Sequence, residues 1–301
     1  NLNVSGQLTG AEGNVTFGAA GSTAGTDGTG GTIVLNQANS HGGFSVLNFG
    51  QTVQVGHAGA FGTSTLIFNG GTLSTGSFQR STGFRDGVAI ANNVKMAGDV
   101  FLANTFNGAT SGADLILSGN IGLSNSSATA NVARVFTVPT SAFRQSGGGL
   151  VTLSGVISDG DSTGNGIIKA GAGPLRLSGA NTYTGPTRIN GGSLVLSAEN
   201  QIPSGSTLNI NTGILSVWES SFTLNRTVNF LTTGASLIDV GASVLAGIVV
   251  PKNVFSSMEC SLVVCGLDHL DGSLVIGLIT DSKGATVCDG KRTDGVLTKF
   301  A

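Results

Sequence analysis

The sequence predicts an all-β chain wound into a coil of short stacked strands, a β-solenoid with irregular rungs and a C-terminal capping segment. Three observations predict it. Apolar residues alternate in very short runs, such as Pro174-Leu-Arg-Leu-Ser178 and Ser193-Leu-Val-Leu-Ser197, which puts Leu175 and Leu177 on one face of a strand and Arg176 and Ser178 on the other. Each run stops at a residue that tolerates a sharp turn, and 49 of the 301 residues are Gly. Finally, pieces recur. The element Φ-x-Leu-Ser-Gly starts at Leu115, Val151 and Leu175, with successive spacings of 36 and 24 residues. Irregular periods of about 20 to 40 fit solenoid rungs with insertions better than propeller blades of steadier length.

Each run has an apolar face too small to bury alone. Stacking runs about 4.8 Å apart buries Leu on Leu and completes the backbone hydrogen bonds between rungs. At roughly 20 to 25 residues a rung, the chain yields on the order of 12 rungs and a rod of about 55 to 60 Å.

Composition narrows the class further. Charged residues make up 10% and mean hydropathy is +0.28, the reverse of a disordered chain. Glycine has no period of three, which excludes collagen. Net charge is −2 and Lys and Arg are scattered, so no nucleic-acid partner is expected. The longest apolar run, Val240 to Val250, spans 11 residues, against the ~20 a bilayer-spanning helix needs, so direct membrane insertion is not expected. No basic-then-apolar leader follows Asn1, so a secreted chain would have lost its signal.

In chain order, Asn1 to Val4, Asn14 to Phe17, Thr32 to Leu35 and Phe44 to Phe49 read as strands, with Gly18 to Gly31 as a loop leaving the coil. From Thr65 the repeats become visible. Leu66-Ile-Phe-Asn-Gly-Gly-Thr-Leu73 matches Leu208-Asn-Ile-Asn-Thr-Gly-Ile-Leu215, and the preceding blocks Phe61 to Thr65 and Pro203 to Thr207 correspond. Ile90-Ala-Asn-Asn-Val94 parallels Leu224-Asn-Arg-Thr-Val228. From about Ala246 the Asn-Gly punctuation fades and all three Cys appear, which divides the chain into a repeat region, 1–245, and a β-rich cap or tail, 246–301. Ser261 to Val264, Ser273 to Ile276 and Gly295 to Thr298 read as strands within the latter.

The most regular stretch is Lys169-Ala-Gly-Ala-Gly-Pro-Leu-Arg-Leu-Ser-Gly-Ala-Asn-Thr-Tyr-Thr-Gly-Pro-Thr187, followed by Ile189-Asn-Gly-Gly-Ser-Leu194. It resembles the autotransporter-associated β-strand repeat of bacterial passenger regions, clearly over about 30 residues and loosely from Thr65 to Val240. The motif positions are Gly173, Leu175, Leu177, Gly179, Asn181, Tyr183, Gly185, Asn190 and Gly191. The resemblance implies a right-handed parallel β-helix outside the cell or on the bacterial outer surface. It implies no particular activity.

Chemistry-bearing residues are sparse. Asp159-Gly-Asp161-Ser-Thr-Gly164 opens like a calcium loop but lacks the closing Glu, position 170 being Ala, so it is expected to be a polar corner with Asp159 and Asp161 at most a weak cation site. His41, His57 and His269 sit in no metal-ligand spacing, and no G-x-S-x-G elbow accompanies Asp268-His269. Cys260, Cys265 and Cys288 allow a disulfide between any two, a zinc site completed by His269, or buried unpaired thiols. Only Asp159/Asp161 and Asp268/Asp271 form carboxylate pairs of the kind a sugar-cleaving β-helix needs. Tyr183 is expected to pack at a corner and Trp218 to fill a gap. The expected function is structural or adhesive, without catalysis or cofactor, toward a host-surface or matrix glycan or protein. An end-to-end filament formed by β-strand addition is the alternative, and a polysaccharide-active enzyme comes third.

Overall fold

The computed structural model describes residues 2–19, 31–75, 87–103, 114–124, 131–139, 150–217, 224, 226, 228–231, 236–240, 262–266, 279–280 and 286–288, with backbone alone at 230 and from 236 on. Within them the chain is a parallel β-solenoid with three walls. The long wall stacks ten strands: Leu2–Val4, Thr32–Leu35, Thr52–Val55, Thr72–Thr75, Val100–Ala103, Ala133–Thr137, Gly166–Ala170, Thr187–Ile189, Leu208–Ile210 and Val228–Phe230. The early wall stacks six: Val15–Phe17, Phe44–Asn48, Thr65–Asn69, Val94–Met96, Ile121–Gly122 and Ile157–Ser158. The late wall stacks eight: Val88–Ile90, Leu115–Leu117, Val151–Leu153, Pro174–Leu177, Ser193–Leu196, Ile214–Val217, Ser236–Val240 and Leu262–Gly266.

Register explains why the chain coils. On the late wall Leu115 pairs with Val151, Val151 with Leu175, Leu175 with Leu194, and Leu194 with Leu215. All five side chains are fully buried. Each buried aliphatic contributes about 1.5 to 3 kcal/mol of transfer free energy, and a misregister by one residue would turn the column out to solvent. The recurring Φ-x-Leu-Ser-Gly elements are therefore neighbouring rungs. The longer recurrences are not neighbours. Thr65–Asn69 lies on the early wall and Leu208–Ile210 on the long wall, so that repeat is reused at a different side of the coil.

Rungs come in two lengths. Register partners on the long wall are 20 or 21 residues apart where a rung has two strands (Thr32 to Thr52 to Thr72; Thr187 to Leu208 to Val228). They are 29 to 36 apart where a third strand is added (Thr72 to Phe101 to Thr137 to Ala170). Among the described residues the long wall carries ten strands between Leu2 and Phe230, an average of about 25 residues a rung, in keeping with the expected period.

Corners close tightly. Gly119, Gly155 and Gly179, which end the three recurring elements, stack on one another's carbonyls; a Cβ at Gly155 would collide with the Gly119 carbonyl and one at Gly179 with that of Gly155. Asn side chains also link strands paired in register: Asn69 Nδ2 donates to Asn48 Oδ1 (3.0 Å) at a strand end, and Asn229 Nδ2 to Asn209 Oδ1 (2.9 Å) in mid-strand. Beyond 245, Leu262–Gly266 extends the late wall in parallel with Ser236–Val240, and Ile279–Thr280 pairs antiparallel with Thr286–Cys288. The remainder of the expected cap, the loop at 20–30, Trp218 and His269 lie outside the described residues. Among those described, no helix is long and apolar enough to cross a membrane.

Candidate functional site

Many of the residues singled out from the sequence lie between Asp159 and Gly191, where their polar groups bond to the chain itself. Leu175 and Leu177 point inward and are fully buried. The Gly173 amide donates to the Val138 carbonyl (2.8 Å) and the Gly185 amide to that of Asn165 (2.7 Å). Asn181 bridges three rungs: its Oδ1 accepts from the Ile157 amide (2.8 Å) and its Nδ2 donates to the Gln201 carbonyl (2.6 Å). The Tyr183 hydroxyl is fully buried and joins Thr187 Oγ1 (2.6 Å), which joins Ser206 Oγ (2.9 Å) on the next rung. Burial pushes the Tyr183 phenol well above its ordinary pKa, against smaller opposing effects of these hydroxyls and of Arg226.

Lys169 opens the motif, and its spelling alone assigns it no role. Its side chain is buried, and its ammonium donates to the carbonyls of Ala170 (2.7 Å), Gly171 (2.8 Å) and Gly191 (3.0 Å). Three acceptors replace the water a buried ammonium loses. Burial lowers its pKa to about 8. The Asn190 amide donates to the Lys169 carbonyl (2.8 Å), so Asn190, Gly191 and Lys169 close one corner together.

The Asp159 corner is also committed to the fold. Asp159 Oδ1 accepts from the amides of Asn165 (2.9 Å) and Thr184 (3.1 Å), and Oδ2 accepts from Thr184 Oγ1 (2.7 Å). Gly160 and Gly164 take positive φ of 80° and 78°, which lets the loop turn back on itself. Asp161 pairs instead with Lys95 (3.3 Å) two rungs earlier, at the surface. Among the described residues no three His, Cys, Asp or Glu side chains cluster as metal ligands would. His57 is exposed, its Nδ1 accepting from the Gly59 amide (2.9 Å), while His41 is buried at the opposite end of the coil. Cys260 lies outside the described residues; Cys265 and Cys288 fall on strands of which the backbone alone is described.

One recess of about 490 Å³ opens beside these rungs, lined by Asn181, Thr182, Glu199, Asn200, Ile202, Pro203, Ser204 and Arg226. It lies within the size range of small-ligand pockets. Its floor is Arg226, whose guanidinium donates to the carbonyls of Pro203 (2.9 Å), Ile202 (2.9 Å) and Glu199 (3.2 Å) and faces the Glu199 carboxylate at 3.6 Å. Burial lowers the Arg226 pKa, and Glu199 and Tyr183 oppose that. Its Nε has no partner and is sealed from solvent. The guanidinium thus serves the chain's own carbonyls and offers little to a ligand. Arg226 was missed from the sequence because it was read only as the third letter of a recurrence.

The fold and these corners define a parallel β-solenoid built from a short repeat whose polar residues brace its own rungs. The passenger-associated-transport-repeat family matches residues 167–196, which run from Gly166–Ala170 to Ser193–Leu196 and contain Lys169, Asn181 and Tyr183. No curated protein and no solved structure matches the chain.

Proposed function

We propose that this chain is a passenger-type segment that stands outside the bacterial cell and acts as a non-catalytic, adhesive or spacing rod. The observation that carries the reading is the matched transport repeat at 167–196, set within walls of uniformly parallel strands. The non-catalytic part draws support from polar side chains on these rungs that are taken up by the chain's own backbone: Asp159, Asn181 and Arg226 all bond to it. The ligand class is a host-surface or matrix glycan or protein, met by the side walls.

The test is surface display. With a secretion signal ahead of it and a translocator barrel behind it, the chain should reach the surface of intact cells, where added protease removes it and beads coated with it adhere to matrix glycoproteins. Retention inside the cell would overturn the passenger reading. Release of reducing ends from acidic or neutral glycans, abolished by Asp159→Ala, would overturn the non-catalytic one.

A filament is the second reading, favoured by one observation. Leu2–Val4 is the outer strand of the long wall, bonded on one side to Thr32–Leu35, and Leu2 is 60% exposed. Such an edge accepts another chain's strand. Monodisperse short rods in electron micrographs at all concentrations would remove this reading.

A further inference from the structure

The coil contains the same hydrogen-bond circuit twice, once near each end. The first copy begins Ala38-Asn-Ser-His41-Gly-Gly-Phe-Ser45 and the second Ala180-Asn-Thr-Tyr183-Thr-Gly-Pro-Thr187. Asn39 accepts from the Leu8 amide (2.8 Å) and donates to the Ala60 carbonyl (2.6 Å), as Asn181 does with Ile157 and Gln201. His41 Nε2 meets Ser45 Oγ (2.8 Å) where the Tyr183 hydroxyl meets Thr187. Ser45 then meets Ser64 (2.7 Å) on the next rung, as Thr187 meets Ser206. On the third rung Asn92 Nδ2 donates to the carbonyls of Ser64 (2.7 Å), Gly62 (3.2 Å) and Phe61 (3.4 Å), and Phe61 is the counterpart of Pro203, whose carbonyl Arg226 holds. The family match covers the front part of the second copy alone.

The copies differ at His41 and Tyr183 and at Asn92 and Arg226, and the circuit fixes how the histidine is protonated. Ser64 Oγ donates its single hydrogen to the Phe61 carbonyl (2.8 Å), so it accepts from Ser45. Ser45 in turn accepts from His41, which places the ring hydrogen on Nε2. Nδ1 is then a bare lone pair, buried, with no partner. A second proton must go there and would become a charged, buried donor without an acceptor. Among the described residues no segment supplies Nδ1 an acceptor: Glu12 lies on the turn before, His57 on the turn after, and the third rung brings the neutral Asn92.

We propose that the His41 circuit is an acid-sensitive latch on the early rungs of the coil: protonation of Nδ1 opens residues 38–69, while the Tyr183 circuit at the far end stays closed. Burial alone holds the His41 pKa below its ordinary 6.5. The sign follows. The folded protein binds this proton less readily than the unfolded chain, so protection is complete above pH 6.5 and is lost as pH falls through the depressed folded value. Tyr183 remains neutral throughout that range.

The test is hydrogen exchange on the whole chain between pH 8 and pH 5, corrected for intrinsic rates. Protection of peptides within 38–69 should fall by up to about tenfold per pH unit below 6.5, while that of 180–210 holds. His41→Gln keeps a neutral N–H donor near the Nε2 position and should abolish the loss. Tyr183→His should transfer acid sensitivity to 180–210. A nitrogen-15 spectrum should show the Nε2–H tautomer at pH 8. Protection of 38–69 that is independent of pH in the wild-type chain, or acid loss that persists in His41→Gln, overturns the proposal.

Discussion

The middle of the coil and its two ends solve the same problem differently. Between Val88 and Ala170 every rung has a strand on each of three walls, and the ladder satisfies most backbone groups. From Thr32 to Thr75, and again from Pro174 to Phe230, the described rungs carry strands on two walls, and the third side is irregular. There side chains do what a ladder does elsewhere. Asn39 and Asn181 link successive rungs, Asn92 and Arg226 plug exposed carbonyls, and Gln201 folds back on Ser197 (2.7 Å to its amide). Buried polar residues collect at the ends because a backbone without a strand partner still needs its hydrogen bonds. A polar motif of this kind in such a coil is therefore the signature of a missing strand before it is the signature of a site.

The largest effect is expected where the middle rungs touch. Gly155→Ala places a methyl against the Gly119 carbonyl, on backbone that cannot yield without separating two rungs. We expect a loss of about 3 kcal/mol, read as a drop in the urea midpoint. Tolerance of the methyl would mean that the corner spacing is looser than the stacked glycines imply.

At the ends the largest effect falls on Arg226. Arg226→Ala takes one donor from each of three carbonyls, leaving the Pro203 and Glu199 carbonyls only their backbone amides, and removes the charge beside Glu199, an expected cost of about 2 to 3 kcal/mol. Arg226→Asn should recover about half of that, because Asn92 performs the same task in the first copy. Equal losses for the two variants would break the equivalence of the copies. Asn181→Ala follows, at about 2 kcal/mol, since it orphans the Ile157 amide and the Gln201 carbonyl. The matching Asn39→Ala should cost somewhat less, because Asn39 is only partly buried.

What could be read from the sequence follows the same division. Period-two alternation and the spacing of Φ-x-Leu-Ser-Gly identified the late-wall column from Leu115 to Leu175, because inward aliphatics and corner glycines are local signals. The distribution of walls was not legible: whether a rung has two or three strands depends on segments such as 178–186, whose polar residues satisfy backbone from rungs 20 to 24 positions away. The polar corner at Asp159 was expected, but its pairing with Thr184, 25 positions on, was hidden for the same reason. The equivalence of His41 and Tyr183 escaped notice because the residues differ in chemistry and agree only in what they hold.

The smallest expected effect tests the junction between middle and end, where Lys169 closes a corner on three carbonyls. Its folded pKa of about 8 lies below the 10.5 of the unfolded chain. Between those values the unfolded state holds the extra proton, so stability is lower at pH 7.5 and rises as pH climbs through 8. The gain should be on the order of 1 kcal/mol by pH 9.5. Above pH 10 the buried Tyr183, whose phenol is held neutral, acts in the opposite direction and ends the rise. Lys169→Met lowers stability at every pH by removing the ammonium donor from the carbonyls of Gly171, Gly191 and Ala170, the last of which keeps the Val138 amide, so the slope and not the level is diagnostic. Urea midpoints at half-unit steps from pH 7 to 9.5 should climb in the wild-type chain and stay flat in Lys169→Met; the same climb in both would assign it to another group and leave the ammonium no part in the corner's pH response.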